Sequence, residues 1–147
     1  MSTTPPEFHP SDSREQRLAE EEIRQAVARE LDVCFEGQPK IEQRVDLDGF
    51  ADGEVPFCLE IWAHQGPAKG GQRHKVMSDF CKMLFVQERI GRTCRKVFAV
   101  CDERAIAFLK NSWQKCFADK FGIEVLVVQI SDATREQVLL AQQRQFR

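Results

Sequence analysis

No stretch of the chain is long and apolar enough to span a membrane. Apolar runs such as 125–128 have the length of a core strand, whereas a spanning helix needs about 20 apolar residues. The beginning, MSTTPPEFHPSDS, has neither a basic patch nor an apolar segment, so it does not resemble a secretory signal. We expect a disordered leader over residues 1–12, a single domain over residues 13–147 and a cytoplasmic location.

Several nucleotide-binding and catalytic motifs are also missing. No G-x-G-x-x-G follows a predicted strand, which argues against a dinucleotide site, and the P-loop pattern is absent. The chain has no G-x-S-x-G nucleophile elbow either. Its six cysteines show no C-x-x-C spacing and no zinc-like pairing with histidine, so we expect reduced thiols. Four of them stand in apolar stretches typical of buried cysteines: Cys58, Cys81, Cys101 and Cys116.

The composition indicates one globular domain with an uneven charge distribution. Of 147 residues, 42% are hydrophobic and 30% are charged, values typical of folded domains. The net charge of −2 does not predict a general nucleic-acid binder. However, residues 1–62 carry 6 basic and 15 acidic side chains, whereas residues 63–96 carry 8 basic and 2 acidic ones. The basic segment is either a phosphate-attracting surface or a solvated helix face.

The periodicity of apolar residues predicts an α/β domain. Helices are predicted where apolar residues recur at helical spacing. They run over residues 14–31, from the Gly- and Pro-rich loop 63–71 to near Gly91, from 106 to a stop at Gly122, and over 132–145. Strands are predicted from alternating or buried apolar runs at 33–37, 40–50, 55–62, 97–101 and 123–130. The order αβββαβαβα predicts a mixed central sheet flanked by helices, whose first three strands form an antiparallel meander. Trp113 shares a helix face with Ile106 and Leu109, and we expect it in the core.

Two carboxylates on neighbouring predicted strands, Asp48 and Glu60, are candidates for a metal site. In PFCLEIW, period-two alternation puts Glu60 and Trp62 on the same face. A carboxylate among apolar side chains is costly unless it is paired or binds metal. A tight hairpin through ADGEV would bring Asp48 beside Glu60, and two close carboxylates repel unless a cation such as Mg²⁺ bridges them. An ion pair with Arg44, Arg73 or another basic residue is the structural alternative.

An aspartate on the second strand, a glutamate on the third and the αβββαβ order together resemble the PD-(D/E)XK, or restriction-endonuclease-like, nuclease superfamily. The matching residues are Asp48, within VDLDGF, and Glu60, within LEIW. The resemblance implies a restriction-endonuclease-like fold over about residues 14–130. It also implies that Asp48 and Glu60 bind Mg²⁺ or Mn²⁺, with the Ile61 carbonyl as a further ligand.

The chain departs from the superfamily pattern at the lysine of Glu-x-Lys, where it has Trp62. That lysine stabilises developing negative charge or positions the attacking water. Gln72 and Lys75 lie three residues apart at the start of the second predicted helix, hence on one face. The resemblance implies that a lysine or glutamine on this helix takes over the role, with Lys75 the first candidate and Lys69, in the loop, the second. If neither reaches the site, the domain is a degenerate member without cleavage activity.

The same region supplies the predicted substrate contacts. The loop GPAKGGQ combines glycines with a helix N-terminus, an arrangement that attracts anions but is also found in ordinary connections. We predict phosphate contacts from four basic residues: Lys69, Arg73, Lys82 and Arg89. His64 or His74 as a base or metal ligand, and Glu22 or Glu30 as an added metal ligand, are alternatives to plain solvent exposure.

Together these patterns predict a Mg²⁺-dependent nuclease-like domain that hydrolyses phosphodiester bonds of nucleic acid, DNA rather than RNA. Asp48 and Glu60 would hold the metal, Lys75 would act as the catalytic lysine, and Gln72 would orient water or substrate. Because the chain has no separate DNA-reading module, site-specific cutting would require a homodimer or a larger assembly. One alternative is a non-catalytic module on the same fold that binds nucleic acid or protein through the basic helix. Another is an α/β domain unrelated to nucleases, with Asp48 and Glu60 in structural ion pairs.

Overall fold

The computed structural model describes residues 14–145, so the predicted leader over residues 1–12 lies outside the described part of the chain. In chain order the elements are α1 (Arg14–Glu30), β1 (Gly49–Ala51), β2 (Phe57–Trp62), α2 (Gly70–Ile90), β3 (Arg95–Val100), a 3-10 helix (Glu103–Leu109), α3 (Trp113–Lys120), β4 (Ile123–Val127) and α4 (Asp132–Gln145). Among the described residues, no helix has both the length and the apolar character needed to cross a bilayer.

The four strands form one mixed sheet in the order β1-β2-β3-β4. β1 is antiparallel to β2, while β2, β3 and β4 are parallel to one another. Parallel neighbours require a crossover connection. α2 supplies it between β2 and β3, and the 3-10 helix with α3 supplies it between β3 and β4. The predicted α/β class, a mixed sheet flanked by helices, is confirmed.

The two faces of the sheet are covered by different helices because side chains alternate along each strand. On β2, Leu59 and Ile61 pack toward α1 and α4. Cys58 and Trp62 point to the opposite face and pack toward α2 and α3. Glu60 lies between Cys58 and Trp62 in this alternation, so its side chain enters the α2 side of the core.

The predicted three-strand meander is wrong in its first part. Residues 33–37 and most of residues 40–50 form no strand, and only Gly49–Ala51 pairs with β2. The reason lies in the side chain of Gln38, which donates to the Leu47 carbonyl at 2.9 Å and accepts from the Leu47 N–H at 2.8 Å. These two bonds satisfy backbone groups that a neighbouring strand would otherwise use.

The predicted third helix is divided into two pieces. Glu103–Leu109 form the 3-10 helix, and Trp113–Lys120 form α3. Asn111 breaks the helical path with a φ of 57°, in the left-handed region. Ser112 then caps α3 by accepting a backbone N–H of its first turn at 3.1 Å. This division leaves Trp113 at the surface with 65% of its area exposed, so the predicted burial of this tryptophan is wrong.

All six cysteines are free thiols, as predicted. Cys58 and Cys101 are buried, and burial raises the pKa of the Cys58 thiol to about 12. Cys81 on α2 and Cys116 on α3 are exposed, so their predicted burial is wrong. Both lie on the solvent side of a helix whose other side packs on the sheet.

Substitution of Phe80 tests the packing of α2 on the sheet. Phe80 is fully buried, and its ring meets Phe98 edge to face with 5.4 Å between centroids. Phe80→Ala should lower the free energy of unfolding by about 3–5 kcal/mol, because it leaves a cavity between α2 and β3. Phe85 lies on the same helix but is 41% exposed, so Phe85→Ala should cost about 1 kcal/mol or less. Urea unfolding measures both, and equal losses would contradict this orientation of α2.

Candidate active site

The strand register brings the two predicted carboxylates together. In the β1–β2 pair Gly49 lies opposite Leu59, and continuing this register by one residue places Asp48 opposite Glu60. Backbone pairing ends there, and the Asp48 side chain takes its place by accepting the Ile61 N–H on Oδ2 at 2.7 Å. Asp48 and Glu60 are therefore neighbours, and Ile61 contacts Asp48 through its N–H. The Ile61 carbonyl as a metal ligand stays a prediction.

Glu60 is an almost completely buried acid, with 2% of its side chain exposed. The Lys82 Nζ lies 2.9 Å from its Oε1 but is not aligned for a hydrogen bond, and Oε1 has no hydrogen-bond partner among the described residues. Lys82 donates instead to the Asp46 carbonyl at 3.2 Å. The Lys82 ammonium is therefore the ion-pair partner of Oε1, although it makes no aligned hydrogen bond to that oxygen.

Two causes raise the pKa of Glu60 to about 9. The larger is burial, which disfavours the charged form, and the second is the negative charge of Asp48 beside it. Lys82 acts in the opposite direction but does not compensate for them. At neutral pH Glu60 therefore carries a proton, which it can share with Asp48.

Asp79 is a third carboxylate near these two, although no sequence motif indicates it. It lies buried on α2, and its Oδ2 accepts a hydrogen bond from the Lys75 Nζ at 2.7 Å. Burial is the main cause that raises the pKa of Asp79, and the charge of Asp48 contributes. The signal available in the sequence is the helical spacing of Lys75, Asp79 and Lys82, which places all three on one side of α2.

Lys82, predicted as a phosphate contact, is the lysine that reaches Glu60. Lys75, predicted for that position, binds Asp79 one turn further along α2. Burial lowers the pKa of Lys82, but the carboxyl groups of Glu60, Asp79 and Asp48 outweigh this effect and raise it. Lys82, and not Lys75, is therefore the lysine that lies beside Glu60.

These five residues, which we call the carboxylate cluster, do not balance in charge. Asp48, Glu60 and Asp79 supply three carboxyl groups, whereas Lys75 and Lys82 supply two ammonium groups. Full ionisation would leave one negative charge in a largely buried setting, where uncompensated charge is strongly unfavourable. The surplus is removed either by a proton on Glu60 or by an added cation.

A cavity of about 240 Å³ gives access to Asp48 from the side of α1. Asp48 is half-buried at its wall, whereas Glu60 is buried and does not line the cavity. The cavity is lined by charged residues of α1 and by residues at the β1–β2 edge: Arg17, Glu20, Glu21, Arg24, Leu47, Asp48 and Ile61. Of the five cluster residues, Asp48 is therefore the one that this cavity exposes to solvent.

The other residues predicted at the start and end of α2 have contacts of their own. Gln72 caps α2, because its Oε1 accepts the Lys69 N–H at 2.8 Å. The Arg73 guanidinium lies over the Phe108 ring, 5.3 Å from its centroid. Arg89, on the last turn, faces an exposed glutamate at 3.5 Å. The structure therefore does not bring Gln72 into the carboxylate cluster.

The two glutamates considered as extra metal ligands lie elsewhere. Glu22 links α1 to α4, since it accepts the Ser131 N–H at 2.5 Å and the Thr134 hydroxyl at 2.7 Å. Hydrogen bonds from these groups lower the pKa of Glu22 although burial opposes them. Glu30 is exposed near the end of α1. A carboxylate of α1 that does approach the cavity is Glu20, a residue that the sequence patterns do not distinguish from its neighbours.

Trp62 and His64 pack together at the end of β2. Their rings are stacked with 4.6 Å between centroids, and both residues are buried. The His64 Nε2 lies 3.1 Å from the Pro67 carbonyl, and burial lowers the pKa of His64. His74 is exposed on α2. Trp62 therefore fills the place of the motif lysine with a packed ring rather than with a charge.

The cluster fits a metal held by two carboxylates, not an all-protein cage. Within residues 14–145, no group of three or more His, Cys, Asp or Glu side chains is arranged to hold a metal ion. Mg²⁺, however, is often held by one or two carboxylates with water completing an octahedron. Asp48 and Glu60 provide two such carboxylates, because they lie opposite each other on neighbouring segments of the β1–β2 pair.

Comparison of the chain with protein-family models, with curated proteins and with solved structures gives no match. The functional argument is therefore carried by the carboxylate cluster itself. Its informative features are the adjacent acids, the burial of Glu60 and the lysine beside it.

The raised pKa of Glu60 predicts that stability depends on pH. The ordinary value is 4.5 and the folded value is about 9, so the folded protein binds more protons between them. This contribution to stability should be fully present below pH 4.5 and be lost as the pH rises to about 9, by up to about 1.4 kcal/mol per pH unit. Glu60→Gln keeps a neutral side chain and should flatten the slope.

Urea unfolding of the metal-free protein at stepped pH measures this effect. Glu42→Gln is the control, because its side chain is 81% exposed and the variant should follow the wild type. A Glu60→Gln variant with the full wild-type slope would show that Glu60 is not the group that titrates.

Proposed function

We propose that this domain is a metal-dependent, nuclease-like enzyme that hydrolyses phosphodiester bonds of nucleic acid on a restriction-endonuclease-like fold. The observation that carries the proposal is the setting of Glu60, a buried carboxyl with Asp48 opposite it and the Lys82 ammonium 2.9 Å away. This combination resembles the Asp and Glu-x-Lys constellation of the PD-(D/E)XK superfamily. Here the lysine comes from α2, because Trp62 occupies its place on the strand.

The order of elements supports the same proposal. The β1–β2 hairpin carries both acids, and α2 leads from β2 to the parallel strand β3. A hairpin with the acids followed by a helical crossover is what the resemblance implies. The segment that would supply an earlier strand is irregular, so the likeness rests on the hairpin and the crossover.

Each residue of the cluster has a role in the proposal. Asp48 and Glu60 would hold Mg²⁺ or Mn²⁺, and Glu60 would give up its proton to do so. When bound, such an ion polarises a phosphoryl oxygen and lowers the pKa of bound water. Lys82 would stabilise the negative charge that develops on the phosphate. Asp79, which lies about one turn before Lys82 on α2, would hold the ammonium group of Lys75.

Nucleic acid is the proposed substrate because cationic side chains lie near the cavity and along α2. Arg17 and Arg24 line the cavity beside Asp48. Lys69 and Arg73, at the start of α2, keep their predicted role as phosphate contacts, as does Arg89 at its end. Such groups attract a phosphate backbone without reading its sequence. DNA is proposed ahead of RNA.

Metal binding is the first test. Calorimetric titration with Mg²⁺ and with Mn²⁺ should show binding to the wild type, and Asp48→Asn or Glu60→Gln should weaken it at least about tenfold, because each removes a ligand charge. Asp46→Asn is the matched control, since Asp46 lies two residues from Asp48 but is exposed, and it should bind like the wild type. Metal should also raise the melting temperature of the wild type. Absence of binding to the wild type would rule out the proposed enzyme.

Substitution of Lys82 and of Lys75 tests which of the two lysines contributes to cleavage. Lys82→Met should retain metal binding but lower cleavage of single-stranded, duplex or branched DNA by about 100- to 1,000-fold, because it removes the charge beside Glu60. Lys75→Met makes the same chemical change about two turns earlier on α2 and should lower cleavage less than about tenfold. A larger loss in Lys75→Met would return the catalytic role to Lys75.

A non-catalytic binding module is the second candidate, and Trp62 is the observation that favours it. The stacked Trp62 and His64 rings leave no charge at the motif position, and Lys82 offsets part of the cluster's negative charge without a metal. Such a module would show no metal-dependent melting shift. It would bind nucleic acid with an affinity that falls steeply with salt concentration. The metal titration therefore separates the two candidates.

A further inference from the structure

The outer edge of β4 is open. On its inner side β4 pairs with β3, and the Val128 N–H donates to the Val100 carbonyl at 2.8 Å. Because peptide groups alternate along a strand, the N–H groups of Val125 and Val127 point to the outer side. Among residues 14–145, no backbone group is hydrogen-bonded to that side of β4.

β4 also lacks the features that protect edge strands in monomeric proteins, which are charges, prolines and bulges. Residues 123–128 contain no proline and a single charge, that of Glu124. This carboxylate is engaged by β3, where Arg95 donates to its two oxygens at 2.8 and 3.0 Å. At the opposite edge of the sheet, by contrast, the Glu36 N–H donates to the Phe50 carbonyl of β1 at 2.8 Å. Within the described part of the chain, the β1 edge is therefore partly covered, whereas the β4 edge has no backbone partner.

An aromatic stripe, consisting of Trp113, Phe117 and Phe121, runs along α3 and its C-terminal cap. Its members recur every four residues, so they lie along one side of the helix, and the rings of Phe117 and Phe121 are 4.7 Å apart. Trp113 and Phe121 are exposed, and the two rings together present roughly 250 Å² to solvent. α3 packs against β4 at the edge of the sheet. The helix that carries the stripe therefore lies next to β4.

We propose that β4 pairs antiparallel with β4 of a second copy of this chain, around a two-fold axis at Val125. In this register Ile123 faces the partner's Val127, and Glu124 faces the partner's Leu126, so like charges do not meet. The outward N–H groups of β4 are those that this pairing uses. The contact closes with two copies, because each copy offers one such edge. The joined sheet has eight strands, and the two aromatic stripes meet on one of its faces.

The available area sets the expected strength of the dimer. A standard stable interface buries about 800 Å² on each partner. The two exposed aromatic rings supply about a third of that area, and the half-buried residues of β4 add to it: Val125, Leu126 and Val127. We therefore expect a reversible dimer that dissociates on dilution.

This dimer does not depend on the proposed enzyme function. Asp48 and Glu60 belong to the β1–β2 end of the sheet, whereas β4 is the opposite edge. Both carboxylate clusters of a dimer would lie at the far ends of the joined sheet, away from the β4–β4 contact. Failure of metal binding leaves the dimer untouched, and failure of the dimer leaves metal binding untouched.

Sedimentation equilibrium of the full chain over a dilution series tests the proposal. The wild type should show twice the monomer mass and dissociate on dilution. Trp113→Glu should weaken the dimer about tenfold or more, and Leu126→Lys should abolish it by placing a charge on the edge. Leu140→Lys is the control for the added charge, because Leu140 is exposed on α4, and it should leave the dimer intact.

Two readouts require no substitution. Trp62 is buried, so in the dimer both tryptophans should resist acrylamide, whereas dilution should make Trp113 quenchable. The amide hydrogens of Val125 and Val127 should exchange slowly in the dimer and rapidly after dilution. A chain that is monomeric at every concentration, or whose mass grows without limit, would overturn the proposal. So would a dimer that Leu140→Lys weakens as much as Trp113→Glu does.

Discussion

A carboxyl group held inside the sheet constrains the surrounding structure. Glu60 stands on a strand with neighbours on both sides, and alternation turns its side chain into the core beneath α2. An ionised carboxylate in that place would cost several kcal/mol without a partner. Its surroundings therefore supply a proton, the Lys82 ammonium or an added cation. Asp48 and Asp79 increase the demand, since each adds negative charge near Glu60. The chemistry available to the domain depends on which positive charge is present.

The two edge strands of the sheet, β1 and β4, differ in the regularity of their backbone pairing. At the β1 end, pairing stops after three residues, and side chains of Gln38 and Asp48 replace backbone partners. This interruption leaves Asp48 at the wall of a cavity and open to solvent. At the β4 end the ladder is regular and its outer side is exposed. Binding and catalytic residues are often found on irregular segments held by a rigid scaffold. A regular open edge, by contrast, is typical of sheets that pair with a strand of another chain.

The lysine beside Glu60 comes from α2 and not from β2, and the sequence motif alone does not predict which lysine of α2 it is. Trp62 occupies the position where the superfamily pattern has lysine, and its ring packs on His64. The compensating ammonium comes from Lys82, not from Lys75, because Asp79 holds Lys75. Helical spacing places these three α2 residues on one side, but spacing does not say which of them meets Glu60. That depends on how α2 lies over β2, which is set by packing of residues such as Phe80 between helix and sheet.

The amino-acid sequence by itself determined the α/β class, the helices α1, α2 and α4, and the adjacency of Asp48 and Glu60, because these follow from local periodicity and from a short hairpin. Tertiary structure alone decided three further features. A side-chain amide of Gln38 replaced a predicted strand, a break at Asn111 turned Trp113 to the surface, and Lys82 reached Glu60. Each depends on contacts between residues distant in the chain or on a local backbone choice that periodicity does not encode. The open edge of β4 belongs to the same class, since a strand's edge position is a property of the whole sheet.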